Sequence, residues 1–314
     1  MTNLRLGTRR STLATVQSRA VADRVEKELV ALGRPADVEL VEVTTRGDRT
    51  SASLARIGGT GVFVSALRDA LLAGVIDLAV HSLKDLPTTP APGLVVAATP
   101  EREDARDVLV ARDGLTLAEL PAGARIGTGS PRRAAQLRAL GLGFDVVAIR
   151  GNVDTRIRKV FAGDVDAVVL ARAGIARLGR LDEVTEVLDP LMMLPAPGQG
   201  ALAVECRQSD LDLAAAVRDA VDDQRTRAAV AAERTVLSTL EAGCSAPVGA
   251  MGEIAEGEEG DELWLRAVAL SMDGAFAVRR SATGSPDAAE NVGRTLAEEM
   301  LDDGAATLVQ EQAS

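Results

Sequence analysis

Predicted strands and helices alternate from residue 4 to residue 171, and this alternation restricts the possible folds more than any other feature of the chain. LRLG (4–7) predicts a strand. Residues 12–32 carry apolar side chains at helical spacing, with Ser11 as the N-cap and Gly33 as the stop. Further strands and helices are predicted at 38–45, 63–74, 75–82, 124–128, 131–140, 144–150, 152–161 and 165–171. The alternation predicts two α/β lobes with mostly parallel sheets.

The last third of the chain has a pattern typical of a small α+β domain. PAPGQG (195–200) predicts a crossover between the lobes, and ALAVECR (201–207) predicts a strand that returns to the first lobe. A helix, three antiparallel strands and a closing helix are then predicted at 224–241, 246–255, 262–271, 275–283 and 286–303, with a solvated acidic turn at 256–262. We therefore expect three domains, comprising residues 1–100 with 200–221, residues 101–199 and residues 222–314.

Charge and composition limit where the protein acts and what it binds. The net charge of −11 repels nucleic acid and anionic membranes at long range, so neither is an expected partner. No apolar run approaches the roughly 20 residues that span a bilayer, and the N-terminus does not resemble a signal peptide. We therefore expect a cytoplasmic protein. Lysine is scarce and acidic residues are many, which fits adaptation to high salt, although a GC-rich genome would also favour arginine.

Cysteine and histidine are too few for a disulfide framework or a zinc site. The cysteines are Cys206 and Cys244, and His81 is the single histidine. Cys206 lies within a predicted strand and fits a small buried side chain. Cys244 lies in a small-residue turn that would expose its thiol, but free cysteines are usually buried, and spacing alone does not single Cys244 out. His81 lies in an apolar strand, which favours a packed, hydrogen-bonded role over a catalytic one. No metal is expected.

Arginine recurs just after the predicted strands, although the chain as a whole is acidic. Ligands of open α/β sheets bind beyond the carboxyl ends of the strands, and guanidinium groups bind carboxylates and phosphates. Ser130 is a natural N-cap with Pro131 after it, which leaves backbone N–H groups free for an anion. The strand ends carry Arg9 and Ser11; Lys84 and Asp85; Ser130, Arg132 and Arg133; Arg150 and Arg156; and Arg172 and Arg177. This pattern predicts a polyanionic ligand in a cleft between the lobes.

Plainer interpretations exist for several of these residues. Arg132 and Arg133 are adjacent on a helix, so we do not expect both to face the same way. Spacing alone favours a loop carboxylate at Asp85 that pairs with Lys84. Three other arginines are expected to be surface residues: Arg10, Arg138 and Arg172.

Eight short motifs, in order, resemble those of the porphobilinogen deaminase family over nearly the full length. They are LRLGTRRSTLA (4–14), TTRGD (44–48), HSLKDLP (81–87), EREDARD (101–107), IGTGSPRRAAQL (126–137), RGNVDTR (150–156), LPAPGQGAL (194–202) and EAGCSAPVG (241–249). The resemblance implies two lobes like those of type II periplasmic binding proteins, followed by a third domain. It also implies a monomer that condenses four porphobilinogen molecules, with loss of ammonia, into linear hydroxymethylbilane on a dipyrromethane cofactor.

The resemblance also implies residue roles. Cys244 would carry the cofactor through a thioether, and Asp85 would be the catalytic carboxylate that stabilises the azafulvenium cation left when ammonia departs. The residues expected to contact the cofactor are Ser11, Ser82, Lys84, Ser130, Arg132 and Arg133, and those expected to contact the substrate are Arg9, Arg150, Arg156 and Arg177. The glycine-rich segment 45–61 is a candidate covering loop.

One position departs from the family's pattern, and two other function classes remain open. Thr60 stands where the family commonly has lysine in a GGKG motif, and Arg56 is a candidate to compensate. Two such lobes could instead form a binding module that captures an anionic metabolite without chemistry. A cysteine hydrolase is the second alternative, and it would need His81 as its base.

Overall fold

The computed structural model describes residues 2–43, 61–242, 246–257 and 260–310, without the side chains of 61–63 and 310. The chain divides into two compact units, which we call unit 1 (Met1–Arg102 with Ala201–Arg227) and unit 2 (Glu103–Gly200 with Ala228–Ser314). Within the described ranges, no helix has both the length and the apolar character that a membrane crossing requires.

The secondary structure of the described residues follows the predicted order closely. The strands are β1 (Thr2–Thr8), β2 (Ala36–Glu42), β3 (Leu78–Ser82), β4 (Leu94–Ala98), β5 (Asp107–Ala111), β6 (Arg125–Thr128), β7 (Asp145–Ala148), β8 (Ala167–Ala171), β9 (Glu186–Val187), β10 (Leu202–Arg207), β11 (Val248–Gly257), β12 (Gly260–Leu270) and β13 (Ala277–Gly284). The α-helices are α1 (Thr12–Ala31), α2 (Gly61–Leu72), α3 (Pro131–Ala139), α4 (Val153–Phe161), α5 (Arg172–Arg177), α6 (Leu211–Val221), α7 (Gln224–Thr239), α8 (Ala289–Asp302) and α9 (Ala305–Gln310).

Unit 1 is built on a five-stranded sheet in the order β2-β1-β3-β10-β4. β1 is parallel to β2 and β3, and β10 is antiparallel to β3 and β4, so four of the five strands run in one direction. The return of the 201–207 strand to the first lobe is thereby confirmed. The apolar stripe of α1, which includes Val21, Val25 and Leu29, packs with Leu4 and Leu6 of β1 in the core.

Unit 2 contains a second five-stranded sheet and a separate three-stranded one. The five strands are ordered β7-β6-β8-β5-β9, again with four in one direction and the exception, β5, antiparallel to its neighbours. The three-stranded sheet β11-β12-β13 is antiparallel, as predicted, and packs its own core with α7, α8 and α9. The predicted α/β class with a small C-terminal α+β part is therefore confirmed.

Local signals placed the helix ends correctly. The Ser11 side chain accepts a hydrogen bond from the Ala14 N–H and begins α1, and Gly33 ends the helix with φ +72°. The Ser130 and Asn152 side chains cap α3 and α4 in the same way. Each cap uses a side chain within three residues of the N–H that it binds, which explains why the sequence reveals it.

The structure corrects some sequence predictions. β4 and β5 were not predicted, and β5 is fully buried along its length, so it lacks the alternation that identifies a strand. The acidic segment 256–262 is largely exposed where it is described, as predicted, but most of it is strand rather than turn, because the ladder of β11 and β12 continues through the pairs Glu256–Asp261 and Gly257–Gly260. Most of the predicted loop at 45–61 lies outside the described residues.

Candidate active site

The carboxyl ends of β1 and β3 in unit 1 bring together five of the predicted site residues. The two strands are parallel neighbours, paired at Leu6–Leu78, so the segments that follow them lie at one edge of the sheet. This edge carries Arg9, Ser11, Ser82, Lys84 and Asp85. The Ser82 hydroxyl donates to the Gln17 side chain at 3.4 Å, which ties the end of β3 to α1.

Asp85 lies in a 3-10 turn, Leu83–Asp85, directly after β3. The Leu83 N–H donates to the Ala201 carbonyl at 3.0 Å and anchors the turn. The Asp85 carboxylate is half-buried and makes no hydrogen bond or ion pair with another described residue. The pairing with Lys84 that spacing favoured is therefore wrong, since adjacent side chains on a tight turn point in different directions. The carboxylate remains available to a ligand.

His81 is packed inside unit 1, as the apolar strand predicted. Its Nε2 lies 3.3 Å from the Glu205 carboxylate but lacks hydrogen-bond geometry. Arg68 donates to the same carboxylate from Nη2 at 2.8 Å and from Nε at 3.1 Å. Burial acts to raise the pKa of Glu205, but the contacts from His81 and Arg68 outweigh it and lower that pKa. The cluster is structural, because a side chain this buried is poorly placed to act as a base on a bound substrate.

In unit 2 the parallel strands β7, β6 and β8 end at a second edge rich in arginine. Ser130 and Pro131 begin α3 after β6, Arg150 follows β7, and Arg177 lies on α5 after β8. The turn after β6 packs tightly, since a Cβ on Gly129 would lie 2.8 Å from the Ile149 carbonyl oxygen. The Arg156 Nη2 lies 3.7 Å from the same Cβ position, so this guanidinium reaches the Ser130 turn.

Arg132 and Arg133 both bind the fully buried carboxylate of Asp107, at the start of β5. Arg132 Nη2 donates to Oδ2 at 2.7 Å, and Arg133 Nη2 donates to Oδ1 at 2.8 Å. The expectation that they could not face the same way is wrong, because long side chains on the first turn of α3 converge on one acceptor. Burial acts to raise the pKa of Asp107, but the two guanidinium charges outweigh it and hold that pKa well below its usual range. One carboxylate therefore faces two buried cations.

This buried pair leaves positive charge and hydrogen-bonding capacity uncompensated. Arg132 is 3% exposed, and its Nε has no hydrogen-bond partner among the described residues. Gln199 supplies a further donor to Asp107, from Nε2 at 2.7 Å. The contact of Arg132 and Arg133 with a cofactor remains a prediction, and the surplus charge is what an anionic ligand would neutralise.

Arg156 and Arg177 are half-buried without a carboxylate partner among the described residues. Arg156 Nε donates to the Gly151 carbonyl at 2.8 Å, and Arg177 Nη2 donates to the Gly200 carbonyl at 2.7 Å. Burial lowers the pKa of both, and the charge of Arg133 lowers that of Arg156 further. Arg150 is exposed and makes no ion pair with a described residue. In a chain with an excess of acids, these open cations indicate an anion site.

Of the three arginines expected at the surface, two are exposed as predicted. Arg10 pairs with Glu42, and Arg138 donates to the Met272 carbonyl. For Arg172 the expectation is wrong, because its side chain is 24% exposed and binds two acids that precede β5. That pairing depends on a contact 69 residues apart, which local sequence does not reveal.

Of the two cysteines, the structure describes Cys206, which is buried as the sequence predicted. Cys206 is fully buried in β10, and burial raises the pKa of its thiol to about 11, so it is not a reactive thiolate. Cys244, Thr60 and Arg56 lie outside the described residues.

Comparisons with known proteins decide the family. The dipyrromethane cofactor-binding domain of porphobilinogen deaminase matches residues 4–215, and the C-terminal domain of the same enzyme matches residues 227–302. The chain is 56% identical to the porphobilinogen deaminase of Nocardia farcinica, covering 100% of this chain and 90% of the relative. It is 58% identical to porphobilinogen deaminase 1 of Streptomyces coelicolor, covering 99% and 98%.

The chain belongs to the porphobilinogen deaminase family. It is a deaminase of tetrapyrrole biosynthesis with a dipyrromethane cofactor, which confirms the activity and cofactor that the motifs implied. Family membership also decides against a binding module without chemistry and against a cysteine hydrolase.

Among solved structures, the methionine-binding protein MetQ is similar with a TM-score of 0.44 and 14% identity, covering 69% of this chain and 87% of that one.

The residues of this deaminase fit a cofactor rich in carboxylates. Arg132 has an orphaned buried N–H, and Arg156 and Arg177 are partly buried cations that lack an acidic partner among the described residues. Sequence reasoning missed Asp107 and Gln199, which hold the arginine pair. The signal that could have found them is their place in two recognised motifs, EREDARD and LPAPGQGAL.

Proposed function

We propose that two groups of residues, one at the carboxyl edge of each five-stranded sheet, perform the deaminase reaction of this chain. The observation that carries the proposal is the half-buried pair Arg156 and Arg177, whose charges have no acidic partner among the described residues. A pyrrole that bears acetate and propionate would supply the missing carboxylates. Arginines that served only as solvated surface charges would not need to be half-buried without an acidic partner.

The binding roles follow the chemistry of the side chains. Arg9, Arg150, Arg156 and Arg177 bind carboxylates of the porphobilinogen substrate. The dipyrromethane cofactor, joined to Cys244 by a thioether, is held by Ser11, Ser82, Lys84, Ser130, Arg132 and Arg133. When bound, the cofactor supplies the electron-rich terminal pyrrole that the substrate carbon joins.

Asp85 performs the catalytic work. Its carboxylate lacks an ion-pair partner among the described residues and lies on a turn anchored to Ala201, the residue before β10. In its protonated form, Asp85 can deliver a proton to the departing amine. The carboxylate that this leaves, placed at the pyrrole N–H of porphobilinogen, stabilises the cation that forms as ammonia leaves. The same carboxylate serves each of four condensations, so the growing chain moves past it.

The domain organisation we propose is residues 1–100 with 200–221, residues 101–199 and residues 222–314. Support comes from the main hydrophobic cores, which lie under the five-stranded sheet of unit 1, under the five-stranded sheet of unit 2 and under the three-stranded sheet. A smaller cluster joins Ala135 and Leu194 to Val268 and Leu270, where the second and third proposed domains meet. The third domain would carry Cys244, which follows α7 in the sequence.

Intact-mass spectrometry of protein expressed with porphobilinogen available tests the cofactor assignment. We expect the unsubstituted protein to carry two pyrrole units and Cys244→Ala to carry none. Cys206→Ala is the matched control, and it should keep the adduct because its thiol is buried and weakly acidic. An adduct that survives in Cys244→Ala and disappears in Cys206→Ala would refute the assignment.

We also propose that the enzyme acts in the cytoplasm as a monomer, without nucleic acid or membrane partners, and that it tolerates high salt. The net charge of −11 and the scarcity of lysine support this.

A further inference from the structure

Arg172 binds the carboxylates of the first two residues of unit 2, Glu103 and Asp104. Its Nη1 lies 3.2 Å from Glu103 Oε1, and its Nε lies 3.4 Å from Asp104 Oδ2. Asp104 is also held by Arg106, whose Nη2 donates to it at 2.6 Å. Two arginines thus balance two acids, and the group is close to neutral.

Arg177 lies next to this neutral group. Its Nη2 donates to the Gly200 carbonyl at 2.7 Å, and Gly200 packs so closely on Glu103 that an added Cβ would lie 2.3 Å from the Glu103 carbonyl oxygen. The Glu103 charge is near enough to raise the pKa of Arg177 against the larger effect of burial, which lowers it. Glu103 is therefore the acid that would compete with a ligand for Arg177.

The geometry points to Arg172 as a positioning residue that keeps Glu103 away from Arg177, so that the Arg177 guanidinium stays open to a carboxylate of porphobilinogen. The Glu103 side chain is 38% exposed, so it has room to change partners once Arg172 is gone. An internal carboxylate on Arg177 would neutralise the subsite before substrate arrives. This inference rests on the proposed role of Arg177 in substrate binding.

The holoenzyme of Arg172→Gln tests the inference by steady-state kinetics with porphobilinogen. We expect KM to rise about 2- to 5-fold with kcat nearly unchanged, the range in which a partly exposed ion pair competes. The fraction of holoenzyme that gains substrate mass at limiting porphobilinogen should fall in parallel. Arg280→Gln is the matched control, because Arg280 of the three-stranded sheet pairs with Asp303, and its KM should not change.

Rescue separates the proposed competition from a simple loss of charge. Arg172→Gln/Glu103→Gln should restore KM, because it removes the competing carboxylate. Arg172→Gln/Asp303→Asn has the same net charge but retains Glu103, and it should keep the raised KM. Equal rescue by both double variants, or no rise of KM in Arg172→Gln, would overturn the inference.

Arg177→Gln distinguishes failure of this inference from failure of the proposed site. If Arg177 binds substrate, that variant raises KM by about 10-fold or more, as expected for a lost hydrogen bond to a charged group. Adding Arg172→Gln to it should then have no further effect. If KM is unchanged in Arg177→Gln, the assignment of Arg177 to the substrate site is refuted. If KM is raised in Arg177→Gln but unchanged in Arg172→Gln, only the positioning role of Arg172 is refuted.

Discussion

Replacing Asp107 with asparagine removes the negative charge that binds Arg132 and Arg133 inside unit 2. The carboxylate accepts hydrogen bonds from both guanidinium groups and from Gln199. Asparagine keeps one acceptor, but its NH2 group would face the Nη2 donor of Arg132. Breaking a buried ion pair by removing one partner costs about 3–5 kcal/mol, because the other charge stays buried and unpaired.

A loss of that size is readily measured by calorimetry. For a cooperative unit of roughly 150–250 residues, each kcal/mol lowers Tm by about 2–4 °C, so we expect a fall of about 6–20 °C. The control is Asp113→Asn, since Asp113 is exposed with φ +60°, a conformation that asparagine tolerates, and it should shift Tm little. A shift in Asp107→Asn no larger than in the control would refute the account of the buried cluster.

The direction of the Asp107 pKa shift determines how the stabilisation by this ion pair depends on pH. The folded-state pKa of Asp107 lies below its usual range, so the contribution is present above the unfolded pKa, near about 4. It is lost only as the pH falls further, through the folded pKa. The difference in unfolding free energy between the unsubstituted protein and Asp107→Asn should therefore be the same at pH 7 and at pH 5. A difference that becomes smaller from pH 7 to pH 5 would contradict the conclusion that Asp107 is ionised in the folded protein.

Two further predictions concern catalysis and salt. Asp85→Asn should lower kcat by at least ~10²-fold, the cost of removing one preorganised electrostatic partner, while intact mass still shows the two pyrrole units; near-normal turnover would exclude Asp85 as the catalytic carboxylate. If the acidic composition reflects adaptation to salt, activity and monomeric mass in light scattering should persist in molar salt, and precipitation above low salt would show otherwise.

Helix ends and motifs were predictable because they depend on residues close together in the sequence. Ser11, Gly33 and Ser130 act on backbone groups within a few residues, so their types alone predict where helices begin and end. The motif around Asp85 likewise predicted a carboxylate at the end of a strand, and the structure leaves that carboxylate without a partner among the described residues.

The pairing of charges, by contrast, was decided by the tertiary structure. Arg132 meets Asp107 across 25 positions of sequence, and Arg172 meets Glu103 across 69, so neither pair has a local signal. Sheet order and register bring them together by packing β5 beside β8, antiparallel to it. The sequence alone determined which residue types lie at the strand ends. The fold decided which arginines are neutralised by carboxylates of the protein and which, like Arg156 and Arg177, remain open to a ligand. The reason is that Coulomb interactions depend on distance in space and on burial.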